Sequence, residues 1–143
     1  MIIPDLNLLL YAYNPHVAQH ERARTWWERT LSGDELIGVP LEISFGFVRI
    51  STNPKLGRAQ VPLAQARQVV ESWLAQPQTR SLSPAANHFD HVMELMAKAM
   101  ATGPILSDAI LAAYAINNRA TVYSSDTDFA RFKSLNWVNP LIE

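Results

Sequence analysis

Thr121-Val122-Tyr123-Ser124-Ser125-Asp126-Thr127-Asp128-Phe129-Ala130-Arg131-Phe132 reads in two parts. Thr121 to Ser124 is β-branched, aromatic and short, which predicts a strand, and Asp128 to Phe132 predicts a last short helix. Asp126 stands between them, where a strand hands over to a helix. The start of the chain repeats this order. Met1 to Pro4 is apolar and too short for a helix, Asp5 follows directly, and Asn7 to Tyr13 reads as a short buried helix. Strands alternating with helices predict an α/β sandwich, a mainly parallel central sheet flanked by helices.

The intervening chain fits that frame. Val17 to Leu31 carries Val17, Ala23, Trp26, Trp27 and Leu31 at helical spacing and stops at Gly33. Leu36 to Val39 is the second strand. Pro40 suits the first position of a helix bearing Ile43, Phe47 and Ile50, with a loop at Pro54. Pro62 opens a helix that ends before Pro77, and Thr79 to Leu82 is a weak strand. Ser83 or Pro84 starts a long helix closed by Gly103-Pro104, in which Phe89, Met93, Met96 and Met100 form a stripe expected to be core or a dimer face. Ser107 is expected to cap a helix reaching about Asn118. Trp26 and Trp27 point about 100° apart on a helix, so only one of them faces the core fully.

At 143 residues the chain has room for a single domain, residues 1–143, and shows no repeat or linker that would divide it. Charged residues make up 17%, below the roughly 25% usual in soluble domains, which suggests surface covered by a partner. The absence of cysteine excludes disulfides, thiolate metal sites and a cysteine nucleophile. The longest stretch without charge, Leu6 to His20, holds Asn7, Asn14, Pro15 and Gln19 and does not suit a membrane span. Asp5 and the lack of N-terminal basic residues argue against a signal peptide, so a cytoplasmic protein is expected.

The acids fall in a pattern. Asp5 follows the first strand, Glu42 opens the helix after the second, Asp108 opens the helix after Ser107, and Asp126 follows Thr121 to Ser125. In a parallel sheet such junctions share the carboxyl edge, where α/β proteins bind ligands. Carboxylates gathered there repel one another and take up protons unless a cation intervenes. An oxygen-only donor set suits a hard ion such as Mg²⁺ or Mn²⁺, which polarises a phosphodiester and acidifies water. With Asp128 added to those four, eight acids remain against twelve bases, a surround of net +4 suited to a polyanion. Arg49, Lys55, Arg58 and Arg67, the only charges between Ile43 and Val70, are candidate contacts to the backbone of such a polyanion.

Met1-Ile2-Ile3-Pro4-Asp5-Leu6-Asn7, Glu42 after Pro40, Phe47 to Pro54, Asp108 to Ala113 and Ser125 to Phe132 together resemble a PIN domain of the VapC toxin type over nearly the whole chain. The resemblance implies a Mg²⁺- or Mn²⁺-dependent endoribonuclease, a homodimer and inhibition by a cognate antitoxin. It implies that Asp5, Glu42, Asp108 and Asp126 hold the ion and activate water, with Asp128 an additional acid and Asn7 and Ser125 polar neighbours that orient them. Residue-level alternatives stand beside it. An acid at a helix start often caps the helix, and capping is the expected role of Asp128. Glu42, between Leu41 and Ile43, is expected to be half-buried.

Two other functions compete. Asp126-x-Asp128 after a strand suits a phosphohydrolase with Asp126 as nucleophile, although that pattern belongs near the start of such chains. A non-catalytic RNA-binding or receiver-like module would use the acids for structure alone. No nucleotide-binding glycine loop is present. His16/His20 and His88/His91 have spacings common by chance and adjoin none of the acids, so they carry no zinc reading.

Overall fold

The computed structural model describes residues 1–142. Five strands alternate with six α-helices: β1 (Ile2–Pro4), α1 (Leu6–Tyr13), α2 (His20–Ser32), β2 (Ile37–Pro40), α3 (Leu41–Ser51), α4 (Leu63–Leu74), β3 (Thr79–Leu82), α5 (His88–Lys98), α6 (Leu106–Asn117), β4 (Thr121–Tyr123) and β5 (Asn136–Val138). Short 3₁₀ turns cover Pro54–Ala59, Gly103–Ile105 and Thr127–Arg131. The sheet runs β3-β2-β1-β4-β5, and every pairing is parallel. The expected α/β architecture is therefore present. The order reverses at β1, between chain climbing to β2 and β3 and chain returning to β4 and β5, which is the ligand-binding switch point of open parallel sheets.

β1 and β2 are wholly buried because helices cover both faces of a parallel sheet. An aromatic group locks the helices beside it. Trp73 of α4 meets Trp27 of α2 and Phe47 of α3 edge-on, with centroids 5.7 and 4.9 Å apart, and its Nε1 donates to the Tyr13 hydroxyl of α1 at 2.8 Å. Truncating a core tryptophan costs about 3–5 kcal/mol, so this group carries much of a marginal stability. α6 is buried along most of its length by small residues, with Ala109, Ala112, Ala113 and Ala115 fully inaccessible. Alanine combines high helix propensity with close approach to neighbours.

Several local expectations are corrected. α5 ends at Lys98 and not at Gly103-Pro104, because Met100 takes the left-handed conformation (φ 49°) and closes the helix through bonds from its own N–H to Ala97 O and from Ala101 N–H to Met96 O. The same helix starts at His88, four or five residues later than expected. It buries Val92 and Leu95 and packs Met96 against the core, leaving Phe89, Met93 and Met100 exposed, so most of the stripe is not core. α6 starts at Leu106 with no side-chain cap, which places Ser107 and Asp108 inside its first turn. β5 had no expectation: three residues with one half-buried tryptophan carry too little pattern. Trp27 is the buried member of its pair, while Trp26 stacks on Tyr123 at 5.7 Å and 16°.

Candidate active site

β1 and β4 are hydrogen-bonded in a register that pairs Pro4 with Tyr123, and the Asp5 N–H continues the ladder to Tyr123 O at 2.9 Å. The next residue on each strand, Asp5 and Ser124, is thereby set side by side. Asp5 stands at the start of α1 yet caps nothing. Its Oδ2 accepts from the wholly buried Ser124 hydroxyl at 2.6 Å, and the same Ser124 oxygen accepts from the Asp126 N–H at 2.9 Å. One hydroxyl thus ties together two acids more than a hundred residues apart.

Asp126 turns its Oδ1 onto the Asp128 N–H at 2.8 Å and caps the 3₁₀ turn Thr127–Arg131. This corrects the expectation that Asp128 is the cap: Asp128 lies inside the turn and faces Arg131 at 3.7 Å. Asp108 approaches from the first turn of α6. One carboxylate oxygen each of Asp108, Asp126 and Asp128 lies within 4.8 Å of the others. Burial, then the charges of Asp126, Asp5 and Asp128, push Asp108 up to about 7. Burial also raises Asp5, partly offset by the bonds from Ser124 and the Leu6 N–H, with Asp126 adding to the rise.

Glu42 enters from the first turn of α3. The expected half-burial does not hold: Leu41 and Glu42 face solvent while Ile43 turns inward. Its Oε1 accepts from the Tyr114 hydroxyl of α6 at 2.7 Å. Asp5, Glu42, Asp108, Arg49 and Tyr114 line one cleft of about 220 Å³. α3 rides close over α1 there, for a Cβ added at Gly46 would meet Leu6 Cδ2 at 2.8 Å.

The supporting residues fare differently. Asn7 is exposed on α1 and Ser125 half-buried after β4, and neither bonds an acid among the described residues. The orienting hydroxyl expected of Ser125 belongs to Ser124, because side chains alternate along the strand and only Ser124 lies in register with Asp5. Of the basic candidates, Arg49 alone lines the acid cleft. Lys55 is exposed on the Pro54–Ala59 turn, Arg58 borders a separate shallow pocket with Asn14 and His16, and Arg67 pairs with Glu71 at 3.3 Å on α4. Tyr114 had no sequence signal, since a tyrosine in an apolar helix reads as core.

A parallel α/β sandwich with acids converging at its switch point defines a class, and the family model of the PIN domain matches residues 2–135. Ribonuclease VapC33 of Mycobacterium tuberculosis is 43% identical over the full length of both chains. The chain belongs to the VapC ribonuclease family of PIN domains. Solved structures share the fold: VapBC2 from Rickettsia felis, bound to a promoter DNA fragment, superposes with a TM-score of 0.69 at 18% identity, covering 97% of this chain and 98% of that one. VapC20 from Mycobacterium tuberculosis, described as a sarcin-ricin loop cleaving toxin, does so with 0.68 at 16% identity, covering 91% and 93%. The family match displaces the phosphohydrolase and receiver-like readings.

Proposed function

We propose that this protein is a divalent-metal-dependent endoribonuclease, the toxin of a toxin–antitoxin pair, which hydrolyses RNA phosphodiester bonds where Asp5, Glu42, Asp108 and Asp126 gather at the carboxyl edge of the sheet. The observation that carries the reading is the convergence of the Asp108, Asp126 and Asp128 carboxylates within 4.8 Å. The donor set fits a hard ion: all ligands are oxygens, and an Asp108 pushed up to about 7 by burial and then by its acidic neighbours lacks a counter-charge. Asp108, Asp126 and Asp128, together with Asp5, would hold Mg²⁺ or Mn²⁺, with Glu42 at the margin. When bound, such an ion neutralises the cluster, polarises a phosphodiester oxygen and lowers the pKa of a water.

The chain's own groups do the rest. Ser124 fixes the Asp5 carboxylate with a buried donor, and Asp126 is held by backbone bonds at both ends. Arg49, on the same helix as Glu42, lines the cleft and makes no ion pair among the described residues, so it is available to an RNA phosphate. The full-length ribonuclease relative supports the activity. VapBC structures of the same fold support a cognate antitoxin as partner. No helix among the described residues is long and apolar enough to cross a membrane, and we assign the protein to the cytoplasm. Exposed apolar side chains such as Phe45 and Phe89 suit covered surfaces, in keeping with a homodimer.

The test is cleavage of a defined RNA by purified protein with Mn²⁺ or Mg²⁺, with and without chelator. Asp5→Asn and Asp126→Asn are expected to lower the rate roughly 100-fold or more, beyond the 10–100-fold typical of residues that only support a ligand. Circular dichroism should stay unchanged. Cleavage that survives chelation, or full activity in both variants, would overturn the reading.

A further inference from the structure

We propose that Tyr114 is a positioning residue that holds the Glu42 carboxylate toward the acid cluster through a single hydrogen bond joining α6 to α3. This inference rests on the reading of the cleft as a metal-dependent nuclease site. Tyr114 follows Asp108 by six residues on α6 and lines the cleft that Asp5, Glu42 and Asp108 share. Its ring is 2% exposed and packs against the His88 imidazole of α5, with centroids 4.7 Å apart and planes tilted by 50°. Its hydroxyl donates to Glu42 Oε1 at 2.7 Å.

The two partners are unequal. Tyr114 is buried and packed on His88, whereas Glu42 is exposed in a helix turn whose N-cap, Pro40, offers it nothing. No other side-chain hydrogen bond or ion pair reaches Glu42 among the described residues. A glutamate left to solvent samples many rotamers, and ordering it costs side-chain entropy at each encounter with an ion or substrate. A donor on a rigid buried ring removes that freedom in advance, so the constraint runs from Tyr114 to Glu42. Burial and the adjacent carboxylate also push the phenol pKa up, which keeps Tyr114 a donor throughout the working pH range. Groups that orient ligands without touching the ion commonly matter 10–100-fold.

The test compares wild type, Tyr114→Phe, Glu42→Ala and the double variant by Mn²⁺ titration calorimetry, RNA cleavage kinetics and metal-free melting. Tyr114→Phe keeps the ring and the His88 contact, so the melting temperature is expected to hold within a few degrees. Mn²⁺ affinity and kcat are expected to fall roughly 10-fold, with KM for RNA unchanged within about twofold. In the Glu42→Ala background, Tyr114→Phe is expected to add less than about twofold, because residues that act through one another are not additive. Wild-type Mn²⁺ affinity and kcat in Tyr114→Phe, or penalties that multiply independently, would overturn the proposal. A wild type that neither binds Mn²⁺ nor cleaves RNA would bring down the nuclease reading as well, whereas an active wild type beside an indifferent Tyr114→Phe sinks this inference alone.

Discussion

Ser124 shows what one hydroxyl does when two strands are in register. It donates to Asp5 and accepts from the Asp126 N–H, so its loss leaves a buried carboxylate without its side-chain donor. Ser124→Ala is expected to destabilise the protein by about 1–3 kcal/mol and to lower RNA cleavage about 10-fold, whereas Ser125→Ala should leave both within error. Urea melts and cleavage rates on the two variants check this, and equal effects would contradict it. Adjacent serines are indistinguishable by composition, which is why the wrong one is singled out by sequence. Only the pairing of Pro4 with Tyr123 separates them. The acids themselves were legible because carboxylates at strand ends have a reason to be there that single cores lack. Tyr114 was not, because its chemistry depends on a neighbour seventy-two positions away.

At the scale of elements, the helix centres were readable and the ends were not. α5 and α6 both stop on a left-handed residue that is not glycine, Met100 at φ 49° and Arg119 at φ 52°. In each case the following N–H reaches back five residues, Ala101 to Met96 O and Ala120 to Ala115 O, satisfying a carbonyl the helix leaves open. A sequence reader looks for glycine there and passes over Met100, which is why α5 was extended to Gly103. The left-handed conformation costs a Cβ-bearing residue about 1–2 kcal/mol, and Met100 is 89% exposed with no packing to lose. Met100→Gly is therefore expected to stabilise the protein by about 1 kcal/mol without altering cleavage. Denaturant titration measures it, and a loss of stability would show that the helix end is held by something else.

Across the whole molecule, the acid cluster sets how stability answers to pH. Burial and the neighbouring acids push Asp108 up to about 7 in the folded protein, against 3.8 for an unperturbed carboxyl. Between those values the folded state holds a proton that the unfolded chain has released. Its contribution is thus present at low pH and lost as pH rises through about 7. Metal-free protein should therefore be more stable near pH 6 than near pH 8 in this respect. Asp108→Asn should melt a few degrees higher than wild type at pH 8 with chelator present and show little difference near pH 5. Saturating Mn²⁺ should cancel that advantage by stabilising wild type alone. Calorimetric scans at both pH values, with and without the ion, test the set, and an Asp108→Asn melting curve identical to wild type in chelator at pH 8 would refute it.

β1 lies in the middle of the sheet, and the hydroxyl that secures the acid at its end stands 119 residues further along the chain. Contacts this distant form only once nearly all the chain has emerged. A nascent or prematurely terminated chain ending before Ser124 carries Asp5, Glu42 and Asp108 but no gathered cluster. On the cleavage reading proposed above, a chain released before Ser124 lacks the gathered acids that cleavage requires, so strand order ties activity to this late contact.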